Sequence, residues 1–320
     1  MMESAFKKEN VAIFDHSWQI IANPNALSNS CYKHWEEIAV KLDELQLDYQ
    51  FYITEDAESG KKLAAELCRQ GHRYIMAMGG DGTVNQIVDG IMTSGVPSRE
   101  VYLAVLPLGT GNDWCRTHHY PRPYMESINI LLRGQFIRHD VGLVECIRDG
   151  ILCSKHHFIN IAGFGFDAAI IHQTAQKRSR VNLKAIYLLT LLKILFSHKA
   201  QQVRIRTDRE TIEERLFTIA VGNCRYNGNG MMQVPMANPT DGLFNIMRLR
   251  EISPFKVIRN IRNLYEGKLS HLPEITYTEA SEIYLESDWP LLGEIEGDTL
   301  PTSNYHIQML PGALNMLTGL

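Results

Sequence analysis

Two short apolar stretches of this chain each break into a glycine-rich turn that holds a hydroxyl, an amide and a carboxylate. The first turn spans residues 79–85 after the apolar stretch 75–78, and the second spans 107–113 after 103–106. Glycine lets backbone N–H groups approach an anion closely, and a helix that begins after such a turn adds partial positive charge. The two turns therefore predict a polyphosphate site, with Asp81 and Asp113 available for a proton or a metal, and they favour a kinase.

The pattern around these turns alternates strand and helix. Strands are predicted over 11–14, 19–22, 49–54, 74–78 and 103–106, and helices over 32–47, 57–69, 84–92 and 125–132. Such alternation indicates a parallel sheet covered on both faces, in which ligands bind beyond the carboxyl ends of the strands. Both glycine turns follow predicted strands, so we expect them at that edge.

After about residue 134 the pattern changes to short alternating runs, which are typical of antiparallel strands. These runs are 137–144, 157–162, 203–206, 217–221, 243–248, 283–286 and 305–309, with helical insertions at about 168–198 and 254–265. The predicted fold class is α/β, with an N-terminal Rossmann-like three-layer α/β/α domain and a second, mostly antiparallel β-sandwich domain. We expect the nucleotide-binding domain over 1–134 plus about 311–320, and the β-rich substrate domain over 135–310.

Composition limits the cellular setting. The chain has 320 residues and a net charge of −4, which gives no reason to expect a nucleic acid partner. Its six cysteines lack Cys-x-x-Cys spacing, so we expect reduced thiols in the cytoplasm. The first 30 residues show no signal-peptide pattern, and no apolar run approaches the ~20 residues of a membrane span. Peripheral contact with a membrane surface remains open.

The turns resemble those of the diacylglycerol kinase catalytic-domain family, in particular its bacterial soluble lipid kinases, and the resemblance covers nearly the whole chain. Residues 79–85 are similar to a Gly-Gly-Asp-Gly-Thr-x-Asn loop, and residues 107–113 to a Pro-x-Gly-Thr-x-Asn-Asp loop. The resemblance implies ATP binding through residues of these loops and of two further strand ends: Asn23, Pro24, Thr54, Gly79, Gly80, Asp81, Gly82, Thr83, Asn85, Gly109, Thr110, Gly111 and Asn112.

Two motifs of the second half extend the resemblance. Residues 163–168 look like the Gly-Phe-Gly-x-Asp turn that opens a helix in the family, and residues 228–242 resemble its metal-bearing segment. By resemblance, Asn238, Asp241 and Leu243 hold Mg²⁺, some of them through backbone carbonyls. Taken alone, Asp241-Gly242 fits a simple turn equally well.

A third motif, Glu296-Gly297-Asp298, aligns with the family's Asp-Gly-Glu, in which the glutamate is the general base, but here the two carboxylates are exchanged. The resemblance implies that Asp298 takes the proton of the lipid hydroxyl, assisted by Glu296 and Asp81. A plain β-turn is the alternative. The chain also departs from the family at residues 25–27, where Ser-Gly and a basic residue are usual, and at Gln86, where Glu is usual.

Residues 168–207 carry eight Lys or Arg residues and no Asp or Glu, around an apolar run at 185–196. This pattern fits either a buried helix with a solvated basic start or a basic apolar wall that meets an anionic membrane. The absence of an acidic residue also excludes a dinucleotide site at 163–168, since that site needs one ~20 positions later. A P-loop sequence does not occur.

The predicted function is an ATP-dependent lipid kinase that uses Mg²⁺ and phosphorylates diacylglycerol or a related lipid at a membrane surface. A nucleotide-regulated lipid-binding protein without catalysis is one alternative, and a soluble-substrate kinase of the NAD-kinase type is another. Edge strands of the second domain could also pair with a second copy to form a homodimer.

Overall fold

The computed structural model describes residues 13–24, 31–54, 57–121, 124–175 and 191–319. Its strands are β1 (Trp18–Ala22), β2 (Tyr49–Ile53), β3 (Tyr74–Gly79), β4 (Tyr102–Pro107), β5 (Gln135–Arg148), β6 (Ile151–Phe158), β7 (Ile161–Gly165), β8 (Gln201–Thr207), β9 (Thr211–Gly222), β10 (Phe244–Arg250), β11 (Ile275–Ala280), β12 (Glu282–Glu286), β13 (Gly293–Ile295), β14 (Asp298–Leu300) and β15 (Asn304–Thr318). Its helices are α1 (Cys31–Glu44), α2 (Ala57–Arg69), α3 (Asp81–Thr93), α4 (Asp113–Thr117), α5 (Tyr124–Ser127), α6 (Ile130–Arg133), α7 (Phe166–Ala175), α8 (191–197), α9 (Pro254–Arg259) and α10 (Ile261–Tyr265). The chain divides into two compact units, unit 1 (Met1–Val141 with Leu310–Leu320) and unit 2 (Gly142–Met309).

Unit 1 contains a parallel sheet in the order β2-β1-β3-β4, and the end of β15 adds a further parallel strand beside β4. The central strands are apolar along their whole length because helices cover such sheets on both faces. Every residue of β1 is buried, as is β3 from Ile75 onward. Helices α2 and α3 pack closely, since a Cβ on Gly90 would overlap the carbonyl oxygen of Lys61. The Rossmann-like prediction is confirmed.

Unit 2 is built from antiparallel pairs. Strand β9 pairs with β7, β8 and β10, β11 pairs with β10, and β12 pairs with both β8 and β15. The short strands β13 and β14 form a hairpin that joins the sheet through β7. Aromatic and β-branched side chains, among them Phe158, Phe164 and Phe244, fill the interior. The predicted antiparallel β-sandwich is therefore confirmed.

Two predicted helices are broken in the structure. The helix expected over 125–132 is two short helices, α5 and α6, because the backbone between them bonds three residues back: Asn129 to Glu126 at 3.1 Å and Leu131 to Ile128 at 3.0 Å. The helix expected over 254–265 is divided at Asn260, whose side-chain amide donates to the carbonyl of Lys256 at 2.8 Å. An asparagine that binds the preceding turn in this way competes with helix continuation.

Other differences concern short segments. The strand predicted over 11–14 is wrong where it is described, because Ile13–Asp15 forms a 3₁₀ turn; residues 11 and 12 lie outside the described residues. The run 157–162 is the end of β6 and the start of β7, separated at 159–160. Strands β11, β13 and β14 were not predicted. Of the insertion expected over 168–198, residues 176–190 lie outside the described residues. Among the described residues, no helix is both long enough and apolar enough to span a bilayer.

Candidate active site

In unit 1, the predicted nucleotide-binding residues follow the carboxyl ends of four parallel strands. Asn23 and Pro24 follow β1, Thr54 follows β2, the first glycine loop follows β3, and the second follows β4. Because the strands are parallel and neighbouring, these residues share one edge of the sheet. Two glycine loops, a threonine and an asparagine therefore lie at the same edge of the sheet.

The two glycine loops touch backbone to backbone. A Cβ on Gly80 would lie 3.0 Å from the Cα of Gly109, and a Cβ on Gly109 would overlap the backbone of Gly80. The N–H of Leu108 donates to the carbonyl of Gly79 at 2.8 Å, which holds the second loop beside the first. Glycine is required at the contact because no side chain fits between the loops.

Asn112 shapes the second loop from within. It adopts a left-handed backbone conformation, with φ 50° and ψ 49°, which asparagine tolerates better than most residues. Its Oδ1 accepts the N–H of Gly109 at 3.0 Å, and its Nδ2 donates to the carbonyl of Gly109 at 2.9 Å. The Asn112 amide therefore closes a ring with Gly109, and Thr110 and Gly111 form the bend between them.

Asn23 and Thr83 join the first loop to β1. The Asn23 amide donates to the hydroxyl of Thr83 at 3.2 Å, and the Asn23 N–H donates to the carbonyl of Met78 at 3.1 Å. The Thr83 side chain occupies the space beside Gly79, where an added Cβ would overlap it. Helix α3 begins just after Gly80, which provides no side-chain cap for its N-terminal N–H groups.

Thr54 and Asn85 are two buried polar side chains near these loops. The Thr54 hydroxyl donates to the carbonyl of Ala22 at 3.2 Å, so it fixes the end of β2 against β1. Asn85 is 6% exposed, and its Oδ1 has no hydrogen-bond partner among the described residues. A buried acceptor without a partner is costly unless a donor arrives from elsewhere.

The two aspartates of the loops differ in their surroundings. Asp81 begins α3, and one of its carboxylate oxygens accepts the N–H of Trp114 at 3.1 Å, which ties the first loop to α4. Asp113 is buried and forms an ion pair with Arg116 at 3.3 Å. Burial, and then the charges of Asp81 and Asp113, raise the pKa of the Cys115 thiol. Asp113 is thus held by its ion pair with Arg116, and Asp81 is the carboxylate more available to a proton or a metal.

In unit 2, Glu296 and Gly297 form the two-residue turn of the β13–β14 hairpin. Both have positive φ, 50° and 86°, and the flanking residues Ile295 and Asp298 pair across the hairpin. Two consecutive left-handed residues match the twist of the adjoining strands, and glycine is favoured at the second position. The motif is therefore a β-turn, and the turn places Asp298 in an exposed position at the start of β14.

The Glu296 carboxylate accepts hydrogen bonds from three N–H groups. Its Oε1 accepts the backbone N–H groups of Ile159 at 3.2 Å and Asn160 at 2.6 Å, and its Oε2 accepts the Asn160 side-chain amide at 2.7 Å. These bonds anchor the hairpin to the connection between β6 and β7. The exchanged carboxylates thus have different environments, since Glu296 is an anchor and Asp298 is exposed.

Glu294 is a buried carboxyl group to which the sequence motifs assign no role. It is 2% exposed, and burial raises its pKa to about 8 despite the N–H of Gly297 that donates to it at 3.0 Å. The nearby charges of Asp167 and Asp298 raise the pKa further, whereas the Asn227 amide, 3.4 Å away, lowers it. Burial therefore favours the protonated form of Glu294, whose Oε2 is bonded to Gly297 in the turn that precedes Asp298.

The absence of a side chain at Gly163 leaves space for the Glu294 carboxyl. A Cβ at Gly163 would lie 2.5 Å from Oε1 of Glu294 and 3.2 Å from the Cβ of Asp167. Asp167 is half-buried at the start of α7, where loss of solvation raises its pKa, and its Oδ2 accepts the Gln233 amide at 2.7 Å. The charges of Asp167 and Asp298 both act on the buried Glu294 carboxyl, so the three groups form one cluster. Only the pairing of β7 with β13 reveals this cluster.

The proposed metal segment offers oxygen donors on a short loop. Asp241 Oδ1 accepts the N–H of Leu243 at 3.0 Å, and Asn238 Oδ1 accepts the hydroxyl of Thr240 at 2.9 Å. These bonds leave the second carboxylate oxygen of Asp241 and the loop carbonyl oxygens as candidate metal ligands. An all-oxygen set with one carboxylate suits a hard divalent cation such as Mg²⁺, so the residues fit by chemistry.

Comparison with known proteins covers most of the chain. Residues 17–144 match the family "Diacylglycerol kinase catalytic domain", and residues 160–318 match the "YegS C-terminal NAD kinase beta sandwich-like domain". A YegS-like lipid kinase from Chromohalobacter salexigens is 29% identical over 266 residues, which cover 82% of this chain and 81% of that protein. A diacylglycerol kinase from Staphylococcus saprophyticus is 24% identical over 280 residues, which cover 88% of each chain.

A solved structure supports the same fold. The crystal structure of a protein described as a diacylglycerol kinase from Bacillus anthracis has a TM-score of 0.74 at 22% identity, covering 95% of this chain and 97% of that one. The two glycine loops lie within the first matched range, and the β13–β14 hairpin lies within the second. The chain therefore belongs to the diacylglycerol kinase catalytic-domain family, in the YegS-like form that adds a C-terminal β-sandwich domain.

Proposed function

We propose that this protein is an ATP-dependent lipid kinase that transfers the γ-phosphate of ATP to a lipid hydroxyl, with diacylglycerol or a related lipid as acceptor. The observation that carries the proposal is the contact between Gly80 and Gly109. It brings two backbone loops and the start of α3 together at one edge of a parallel sheet, an arrangement suited to a polyphosphate. We assign nucleotide binding to unit 1 and the lipid to unit 2.

In this proposal the phosphates bind to backbone N–H groups rather than to a charged side chain. Residues Gly79–Thr83 and Thr110–Asn112 supply the N–H groups, and Asn23 and Thr54 complete the edge. The uncapped N-terminus of α3 adds positive potential toward the anion. Phosphoryl transfer depends mainly on positioning and charge neutralisation, so several converging loops are the expected machinery.

Asp298 is the proposed general base. As the lipid hydroxyl oxygen forms its bond to the γ-phosphorus, the bond from that phosphorus to the β,γ-bridging oxygen breaks, ADP leaves, and the hydroxyl proton passes to the Asp298 carboxylate. The exposure of Asp298 supports this role. Glu296 assists by anchoring the turn through its three N–H partners, and Asp81 assists through its negative charge.

The proposal includes Mg²⁺ as the cation that neutralises phosphate charge. Asp241, Asn238 and the carbonyl of Leu243 would hold a bound Mg²⁺ in unit 2, and Asp81 is the carboxylate of unit 1 suited to one. The names of the relatives support a lipid acceptor, since one is a diacylglycerol kinase and another a YegS-like lipid kinase. A lipid acceptor would place the enzyme at a membrane surface, at least transiently.

The direct test is transfer of labelled γ-phosphate from ATP with Mg²⁺ into a panel of lipid vesicles. We expect a labelled lipid with the wild-type protein and none with Asp81→Ala. Asp81→Asn is the matched variant, because its side-chain oxygen can still accept the N–H of Trp114 while the charge is lost. Asp298→Asn should lose transfer yet still bind ATP. Wild-type rates in folded Asp81→Ala protein would refute the mechanism.

The exchanged carboxylates favour one second candidate, a nucleotide-regulated lipid-binding protein without catalysis. An aspartate at position 298 is one methylene shorter than the glutamate of the family motif, and proton transfer needs heavy atoms within ~3 Å. ATP binding and vesicle binding without any labelled product would favour this candidate. Labelled product in a water-soluble acceptor alone would favour a kinase of the NAD-kinase type.

We also propose that the protein can form a homodimer. Among the described residues, the edge strand β11 pairs only with β10, so one of its sides is open for another strand. Sedimentation equilibrium over a range of concentrations would give the mass directly. A monomer mass at every concentration would refute the dimer.

A further inference from the structure

Three helices of unit 2 present large apolar side chains to solvent. Phe196 of α8, Phe255 and Ile258 of α9, and Ile261 and Tyr265 of α10 are between 39% and 74% exposed. The rings of Phe196 and Phe255 meet edge to face with centroids 5.6 Å apart, so α8 and α9 form one continuous patch. We call these five side chains and the cations between them the α8–α10 surface.

The helices that carry these exposed side chains also pack other apolar side chains into the core of unit 2. Each helix already buries an apolar side against unit 2: Ile194 and Leu195 of α8 and Val257 of α9 pack in one cluster, and Leu264 of α10 packs in another. The helices are therefore apolar on both sides. A second apolar face that is exposed on a short helix indicates a surface that binds another apolar phase.

The charges of the α8–α10 surface are mainly positive. Residues 252–265 carry Lys256, Arg259 and Arg262 and no carboxylate, and residues 191–200 carry Lys193 and Lys199 and no carboxylate. Lys193, Lys199 and Arg259 form no ion pair with any described residue, which leaves their charges unbalanced. The whole protein has a net charge of −4, so composition alone does not account for this concentration of cations.

Two flanking carboxylates do not alter this balance. Glu266, just after the segment, is held by Arg262 at 2.7 Å and Lys268 at 2.8 Å. Glu274 is held by Lys256 at 2.6 Å. Glu251 is exposed and lines one cavity with Phe196 and Lys199, so it offsets one of the positive charges. The unpaired cations therefore alternate with aromatic and aliphatic groups, which is the composition of helices that lie in a membrane interface.

We propose that the α8–α10 surface docks on a bilayer containing anionic phospholipids. The exposed Phe, Ile and Tyr side chains enter the boundary between headgroups and acyl chains, and Lys193, Lys199 and Arg259 bind the phosphate headgroups. The positive charge of the surface favours this occupant, because anionic headgroups supply the opposite charge across the whole area that the apolar side chains cover. This docking would serve the proposed lipid kinase, but it can be measured without ATP and does not depend on catalysis.

The test is co-sedimentation of the full chain with vesicles of phosphatidylcholine alone and with 30% phosphatidylglycerol. We expect binding that rises with phosphatidylglycerol and falls with salt. Phe255→Ser with Ile258→Ser should weaken binding at least about tenfold. Lys199→Gln with Arg259→Gln should weaken it roughly fivefold for each charge and reduce the salt dependence.

Matched controls come from exposed residues elsewhere in unit 2. Ile151→Ser with Leu152→Ser removes exposed apolar side chains at the start of β6, and Arg209→Gln removes an exposed cation between β8 and β9. Both control variants should bind vesicles like the wild type. Thermal unfolding of every variant checks that the fold is retained.

Phosphate transfer to a short-chain lipid in detergent micelles separates this inference from the proposed function. Transfer in micelles by all variants, with vesicle binding lost only in the α8–α10 variants, supports both proposals. Vesicle binding that depends on this surface without any transfer supports docking and refutes the kinase. Vesicle binding unchanged in the α8–α10 variants overturns the docking proposal, as does dimerisation through this surface without vesicle binding.

Discussion

Gly80 and Gly109 lie against each other so closely that neither position can carry a side chain without displacing the other. A Cβ on Gly80 would approach the Cα of Gly109 to 3.0 Å, and a Cβ on Gly109 would also lie 2.6 Å from Oδ1 of Asn112. The two loops therefore behave as one unit. Their spacing is set by backbone contact, which varies far less than a contact between side chains.

The first prediction is that Gly109→Ala weakens nucleotide binding as well as the fold. The added methyl group pushes the two loops apart, and overpacking of this kind costs about 1–3 kcal/mol of unfolding free energy. Because the phosphate-facing N–H groups move with the loops, we expect at least about a tenfold loss of affinity for an ATP analogue. Titration calorimetry and urea denaturation measure the two effects.

Gly82→Ala is the matched control for the fold. An added Cβ at Gly82 has no atom within 4 Å, and alanine is more favourable than glycine in a helix by about 1 kcal/mol. This variant should be as stable as the wild type or more so. Wild-type nucleotide affinity in Gly109→Ala would show that the contact between the loops does not shape the site.

The second prediction concerns the pH dependence of stability that Glu294 creates. Its pKa is raised from 4.5 to about 8 by burial, so the folded state holds a proton that the unfolded state releases. Stability should therefore fall as pH rises from about 4.5 to about 8, by up to about 1.4 kcal/mol per pH unit, and become constant above that range. Glu294→Gln cannot ionise and should lose this dependence.

Urea denaturation of wild type and Glu294→Gln at several pH values from 5 to 9 gives the comparison. The variant should gain stability relative to the wild type as pH rises to about 8. Glu145→Gln is an informative control because hydrogen bonds from Lys155 and His306 lower the pKa of Glu145. Its contribution has the opposite sign and is lost only below about pH 4.5, so the Glu145→Gln curve should run parallel to that of the wild type from pH 5 to 9. Parallel curves for wild type and Glu294→Gln would refute the assignment.

The third prediction separates the two carboxylates of the hairpin turn. Glu296→Ala leaves three N–H donors of the β6–β7 connection without their acceptor, and hydrogen bonds to a charged group are worth about 1.5–3 kcal/mol each. We expect a loss of at least about 2 kcal/mol of unfolding free energy. Asp298→Asn, at an exposed position, should change stability much less while phosphate transfer is lost.

Chemical denaturation of the two variants, combined with the phosphate-transfer assay, decides between these roles. If Asp298→Asn retains transfer, the proton acceptor is another carboxylate, with Asp81 the first candidate. If Glu296→Ala is as stable as the wild type, the hydrogen bonds to Ile159 and Asn160 do not hold the hairpin. The transfer assay therefore tests the role of Asp298 as proton acceptor, and the denaturation experiment separately tests the role of Glu296 in holding the hairpin.

Residues 75–85 illustrate what local pattern can predict. An apolar stretch, a glycine turn and a helical period are all encoded within about ten residues, so the strand, the loop and α3 were predicted correctly. The contact between Gly80 and Gly109 joins positions far apart in the chain, and no local pattern contains it. The expectation that both loops act together came from the alternation of strands and helices, which places both turns at one edge of a parallel sheet.

The cluster around Glu294 shows what local pattern cannot predict. Strands β13 and β14 have three residues each, which is too short for an alternating pattern to appear. Burial of Glu294 depends on the absence of a side chain at Gly163, a residue on a strand that only the folded topology places opposite. The resemblance identified the turn that follows, but the buried carboxyl behind it requires the structure.

The last prediction is that Mg²⁺ stabilises the protein through Asp241. A ligand that binds only the folded state raises the unfolding temperature as its concentration rises. Asp241→Asn keeps an oxygen that can accept the N–H of Leu243, so the loop should fold as before while the charge that attracts the cation is lost. We expect Mg²⁺ to raise the unfolding temperature of the wild type, and a much smaller effect in Asp241→Asn. Calorimetric scans with and without chelator measure both. An equal shift in the two proteins would place Mg²⁺ elsewhere, and Asp81→Asn would then be the next variant to compare.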